Sequence, residues 1–304
     1  MLHKTESYLT VAAISLFWGL AFVAIKSSLE VLSPVGLTFL RLALSSILFL
    51  LYLAVWGRGS GVPEVRDLPM IALLGLLGFT AYHLSLNFGQ QYTTAGLSSL
   101  VVASAPIFIV IFSASLLNER LTLTRTSGVV IAFLGVSALL FLGNQNPAAG
   151  PTEILGVAMI LPAPITAALY TVLGKPLLQR YSPTVLVAWS LFFGTAFVLP
   201  FVGLDIFQET LELSMAEWLP ILYLALFPTF IGYVLWYRLL ARAEASGVGV
   251  YLYLTTMTAI VGGIVLLGEA IALHTLVGGS LVVVGVAMAQ RAQNTNRLQS
   301  KVQH

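Results

Sequence analysis

Ten stretches of this chain are each long and apolar enough to cross a lipid bilayer, and that feature decides the solvent in which the protein folds. A hydrocarbon core about 30 Å thick needs roughly 20 apolar residues at the helical rise. The stretches are Tyr8–Ile25, Pro34–Trp56, Leu68–Phe88, Ala95–Leu117, Thr124–Leu142, Ile154–Leu173, Pro183–Val202, Trp218–Tyr237, Gly247–Leu267 and Ile271–Ala289. Composition agrees: 58% of the residues are hydrophobic and 9% charged, with a mean hydropathy of +0.96. Soluble domains carry about a quarter charged residues and need that polarity at their surface. The expected fold is therefore an all-α membrane protein of ten transmembrane helices, with the lipid bilayer as its principal partner.

The placement of Lys and Arg predicts orientation, because short loops rich in these residues stay cytoplasmic. With the N-terminus inside, the cytoplasmic segments collect twelve basic residues, from Lys4 and Arg58 to Arg297 and Lys301. The outer loops collect only Lys26, and one outer loop, around Asp205, Glu209, Glu212 and Glu217, is purely acidic. A multi-pass protein of the cytoplasmic membrane with both termini inside is expected, followed by a polar cytoplasmic tail at 290–304. The first span leads on from MLHKTESY without a small-residue cleavage motif, which reads as a signal anchor on a mature chain running from Met1 to His304. There are no cysteines, so thiolate metal sites, disulfides and cysteine nucleophiles are excluded. A net charge of +2 with scattered basic residues argues against a nucleic-acid partner. No cofactor or metal motif is present.

The chain also repeats itself. At a shift of about 150 residues, Glu119 faces Glu269, Gly128 faces Gly278 and Gly135 faces Gly285, while Ser33-Pro34 faces Ser182-Pro183 at one residue less. The repeats cover 8–142 and 154–289. Each holds five spans, an odd number, so the second half is expected to lie upside down relative to the first around a central cavity. Inverted repeats of this kind mark secondary transporters.

Several features together resemble the drug/metabolite transporter superfamily in its ten-helix form with paired EamA domains. They are Trp18-Gly19, Arg41, Tyr92-Thr93-Thr94-Ala95 leading into Ser104-Ala105-Pro106, Asn118-Glu119-Arg120-Leu121-Thr122, and Gly268-Glu269 with the glycines that follow. The match runs through nearly the whole chain, although Thr256 stands where relatives often have a proline in the second half. The resemblance implies two facing bundles, a central substrate cavity and alternating access. It does not imply a particular cargo.

Arg41 is the only basic residue well inside a span. It faces the cavity and receives an anionic group of the cargo, or it snorkels outward and ties helix ends through backbone carbonyls. In the third span Tyr82, His83 and Asn87 are polar, and His83 and Asn87 share a helical face. His83 is either an interhelical hydrogen bonder or, where transport is proton-coupled, the first candidate for the coupling group. Trp18, Tyr170, Trp189 and Tyr233 lie deep enough to line a pocket, or else simply pack. Glu119 and Glu269 are expected to cap the helix that follows each of them, with a gate latch as the alternative. Pro106, Pro162, Pro164 and Pro228 permit kinks.

The expected function is a secondary transporter exporting a small metabolite, an amino acid or a related zwitterion or anion, by alternating access. No Walker loop or mid-span carboxylate is present to suggest a pump or a cation site. An intramembrane enzyme and a channel are the alternatives. The chain holds no HExxH, no serine-hydrolase motif and no pair of intramembrane aspartates, so an enzyme is not expected.

Overall fold

The computed structural model describes residues 2–56, 62–117, 151–242, 245–248 and 252–269, with scattered positions at 127–138 and 276–288. Most of the fifth and tenth expected spans, Glu119 and the tail at 290–304 lie outside the described residues. Among those residues all regular structure is helical. Seven helices are long and apolar enough to cross a bilayer: Leu9–Ser28, Pro34–Val55, Val65–Gln90, Ala95–Leu116, Pro151–Gln179, Pro183–Phe201 and Met215–Arg242. They coincide with the first four expected spans and with the sixth to the eighth. The ninth, Leu254–Leu267, is a shorter apolar helix.

Several of these spans are interrupted. The helices in chain order are α1 (Leu2–Ser28), α2 (Pro34–Trp56), α3 (Leu68–Gly75), α4 (Tyr82–Gln90), α5 (Ala95–Val102), α6 (Ala105–Leu116), α7 (Pro151–Ile160), α8 (Pro162–Gly174), α9 (Pro183–Val198), α10 (Leu204–Glu212), α11 (Met215–Leu224), α12 (Tyr233–Arg242), α13 (Ala245–Val248) and α14 (Leu252–Leu267). Pro106 has no N–H to return to Val102, and the fourth span breaks there into α5 and α6. Pro162 divides α7 from α8 in the same way. In the ninth span, with Thr256 in place of a proline, α14 is unbroken from Leu252 to Leu267.

Two spans widen instead of breaking. Wide π turns at Leu76–Ala81 join α3 to α4, and others at Ala225–Gly232 join α11 to α12. They fall at equivalent places of the 150-residue repeat. Pro228 accounts for the second, since it cannot donate to Leu224. The first contains no proline.

The expected acidic loop is partly helical. Ile206 of α10 is buried, while Asp205 and Glu212 are exposed. Glu217 sits three residues into α11 and forms a reciprocal capping box with Ser214, so that span starts earlier than Trp218.

Small residues set the closest helix contacts. A Cβ on Gly75 would stand 2.8 Å from the Gly194 nitrogen, so α3 and α9 touch backbone to backbone there. Side-chain bonds then pin the span ends. Lys26 donates to the Gln90 and Gln91 carbonyls, each at 3.1 Å, and Ser33 donates to Glu209 from its backbone N–H and its hydroxyl. At the opposite end Arg180 bridges Glu64 and Asp67, while the Tyr181 hydroxyl donates to Asp67 at 2.5 Å. The Glu64 and Asp67 carboxylates hold the Arg180 guanidinium further on its charged side, and the bond to Asp67 pushes the Tyr181 phenol up from its ordinary value.

Candidate functional site: a central cavity around Arg41

A cavity of about 80 Å³ opens where the interrupted spans meet. That is room for roughly five to eight water-sized groups. Its walls come from α1 (Trp18), α2 (Arg41), α4 (Tyr82), α8 (Tyr170), α12 (Tyr233) and α14 (Thr256). The rest of the lining is largely apolar, including Ala21, Phe22, Leu86, Val102 and Ile109.

Arg41 is 3% exposed and lines this cavity. Its Nε donates to the Thr229 hydroxyl at 2.7 Å, and that hydroxyl donates to the Leu224 carbonyl at 2.7 Å. The guanidinium is therefore clamped by the widened turn of the eighth span. It does not snorkel to a span end, so the outward reading of Arg41 is corrected. No carboxylate pairs with it among the described residues. A guanidinium in the hydrocarbon region is costly without a partner.

The same turn is held from two further directions. Trp18 donates its indole N–H to the Pro228 carbonyl at 2.9 Å, and Ser45 donates to the Ala225 carbonyl at 2.9 Å. At the other wide turn Tyr233 donates to the Gly78 carbonyl at 3.2 Å, and the Tyr170 ring lies against Gly78. Trp18, Tyr233 and Trp236 form an aromatic cluster, with ring centroids 5.5 Å apart for Trp18 and Tyr233 and 5.2 Å for Trp18 and Trp236.

Of the expected site residues, Trp18, Arg41, Tyr82, Tyr170 and Tyr233 come together at the cavity. Three do not. His83 is fully buried behind the wall, in the aromatic layer of Phe79, Tyr82 and Tyr233. Neither of its ring nitrogens has a hydrogen-bond partner among the described residues. Asn87 donates to Thr38 at 2.9 Å and so ties α4 to α2. Trp189 packs on Phe192 at 6.0 Å, away from the cavity. These three are corrected from cavity-lining to packing positions. For His83 and Asn87 the reason is helix phase: the wide turn at Leu76–Ala81 adds a residue, which rotates the face that follows by about 100°.

Pro106 lies at the break beside the cavity, where Ala103 and Ala105 form part of the wall. Glu269 reaches across to the other half: its carboxylate accepts from the Ala95 and Gly96 amides at 2.6 and 3.2 Å and caps α5, while the start of the helix that follows it lies outside the described residues. Gly268, at φ +66°, makes the turn that brings it there.

Sequence reasoning overlooked Thr229 and Ser45, and it gave Trp236 and Glu209 no part in the site or in the contacts between the halves. Pro228 within a span was the one signal that pointed to the first two.

Comparison with known proteins agrees with this architecture. The model of the EamA-like transporter family matches residues 5–141 and again residues 154–290. A protein named only as an uncharacterized transporter of Archaeoglobus fulgidus is 35% identical, over 94% of this chain and 99% of its own. A probable terminal-alkyne amino-acid exporter of Streptantibioticus cattleyicolor is 33% identical over 90% of each chain. A probable amino-acid metabolite efflux pump of Salmonella typhimurium is 29% identical over 94% of each. A solved crystal structure shares the fold with a TM-score of 0.64 at 20% identity, covering 94% of this chain and 98% of that one. The chain is a multi-pass membrane transporter, not an enzyme, and belongs to the EamA-like transporter family of the drug/metabolite transporter superfamily.

Proposed function

We propose that this transporter exports a small carboxylate-bearing metabolite of the amino-acid class across the cytoplasmic membrane by alternating access. The observation that carries this reading is the buried Arg41, with no carboxylate partner among the described residues, facing a cavity lined by both halves of the chain. A cargo anion is the natural partner of such a group. Two named exporters of amino acids or their metabolites among the relatives support the cargo class and the direction.

On this reading the chain forms ten helices in two inverted halves, 8–142 and 154–289, with both termini in the cytoplasm. The twofold family match and the equivalent positions of the two wide turns support the pairing. Contacts between the halves sit at both ends of the bundle: Glu269 on Ala95 and Gly96, Glu209 on Ser33, and Arg180 with Tyr181 on Asp67. These are the bonds that must open in turn for the cavity to reach either side. Glu119 is assigned the corresponding role in the first half, Pro106 supplies a bending point beside the cavity, and Trp18, Tyr82, Tyr170 and Tyr233 bound the space around the cargo. Proton coupling falls to His83, the one histidine in the middle of a described span, which stacks on the cavity wall through Tyr233.

The test is counterflow in proteoliposomes against amino acids, organic acids, sugars and nucleotides. Saturable exchange of a small carboxylate supports the reading. Exchange confined to sugars or nucleotides, or steady conductance in place of exchange, contradicts it.

A further inference from the structure

We propose that the cavity recognises its cargo by the carboxylate alone, so that small monocarboxylates with an apolar tail are carried whether or not they bear an α-ammonium group. This rests on the transporter reading above and narrows the cargo of the same site.

The anionic end of a cargo has a built partner. The Arg41 Nε is occupied by Thr229, which fixes the plane of the guanidinium and leaves its two terminal nitrogens for the fork a carboxylate needs. An ammonium group has no charged partner among the described residues. Every Asp and Glu of the chain lies near a span end or in a connection, and none of the described ones lines the cavity. The remaining acceptors are neutral: hydroxyl oxygens of the lining, such as those of Tyr82 and Thr171, and backbone carbonyls, several of which at and beside the two wide turns already receive donors. Pro228 takes the Trp18 indole, Ala225 takes Ser45, Leu224 takes Thr229 and Gly78 takes Tyr233. The Ser99 carbonyl on the opposite wall takes Thr256. The Trp18, Tyr233 and Trp236 rings, which offer a cation their faces elsewhere, are packed on one another.

An ammonium brought into this cavity thus meets only neutral acceptors among the described residues, in the field of Arg41. A ketone or hydroxyl at the same carbon carries no such penalty. Phe22, Leu86, Val102 and Ile109 suit a short aliphatic tail, and the volume favours cargoes near the size of alanine or valine.

The experiment uses two matched triplets in counterflow with wild-type proteoliposomes: alanine, pyruvate and ethylamine; valine, 3-methyl-2-oxobutanoate and isobutylamine. The expected result is that each oxo acid exchanges at least as well as its amino acid, while the amines neither exchange nor compete. Arg41→Gln is expected to lower exchange of both acids by at least about tenfold. Arg41→Lys, which keeps the charge without the fork, falls between the two. Size-exclusion profiles and thermal unfolding establish that each variant is folded, and the wild-type triplets decide the matter where one is not. An amino acid exchanged about tenfold better than its oxo acid, or an amine that competes, overturns this inference and leaves the transporter reading intact. Failure of all six compounds, with exchange of a larger or carboxylate-free solute, overturns the proposed cargo itself.

Discussion

Thr229→Val removes one hydroxyl and changes little of the side chain's shape. That hydroxyl accepts from the charged Arg41 Nε and donates to the Leu224 carbonyl, both at 2.7 Å, and Thr229 is fully buried. A neutral hydrogen bond such as that to Leu224 is worth about 0.5–1.5 kcal/mol net, and one from a charged donor about 1.5–3 kcal/mol. Losing both is expected to cost about 2–4.5 kcal/mol, because Leu224 also cannot recover a bond from Pro228. Thr229→Ser keeps the hydroxyl and is expected to stay within about 0.5 kcal/mol of wild type. Equilibrium unfolding of the purified protein in mixed micelles measures both variants. Exchange kinetics supply a second readout, since a released guanidinium no longer presents its fork to the cargo, and the valine variant is expected to show a raised KM for carboxylates. Valine and serine variants that are equally stable, with unchanged KM, would refute the clamp.

The remaining predictions concern the gate, the packing and the coupling group. Glu269→Gln weakens the cap on Ala95 and Gly96. In the naturally cysteine-free chain, an Ile25→Cys reporter in the cavity wall should then react faster with an impermeant maleimide from the Lys26 side, and unchanged labelling would remove Glu269 as a latch. Gly75→Ala places a Cβ 2.8 Å from the Gly194 nitrogen, and such overpacking is expected to cost about 1–3 kcal/mol in the same unfolding assay. Full stability there would mean that α3 and α9 are less close than described. His83→Phe keeps a ring in the aromatic layer of Phe79 and Tyr233. Counterflow is expected to survive while any stimulation of net flux by a pH gradient disappears; an equal gradient response in both proteins would exclude His83 as the coupling group.

The seven spans found among the described residues were legible in the sequence because length and apolarity are one-dimensional properties. Pro106 announced the break between α5 and α6 for the same reason: a missing N–H acts on a residue four positions away. The wide turn at Leu76–Ala81 carries no such mark, and it decides which face of α4 meets the cavity. Tyr82 and His83 are adjacent, yet one lines the cavity and the other is buried behind it. Trp189 was unreadable on different grounds. In a membrane the exterior and the core are equally apolar, so an aromatic side chain does not declare which way it faces. Glu269 was recognised as a helix cap, but the helix it caps is 173 residues away in sequence, and no local pattern encodes that pairing.

The central claim is that a small carboxylate is exchanged through a cavity organised by Arg41. The most direct measurement is proteoliposome counterflow of a labelled small carboxylate, comparing wild type, Arg41→Gln and empty liposomes at matched protein incorporation. Saturable exchange in wild type that falls at least about tenfold in Arg41→Gln is the predicted result. Equal exchange by the two proteins, both above empty liposomes, would contradict it.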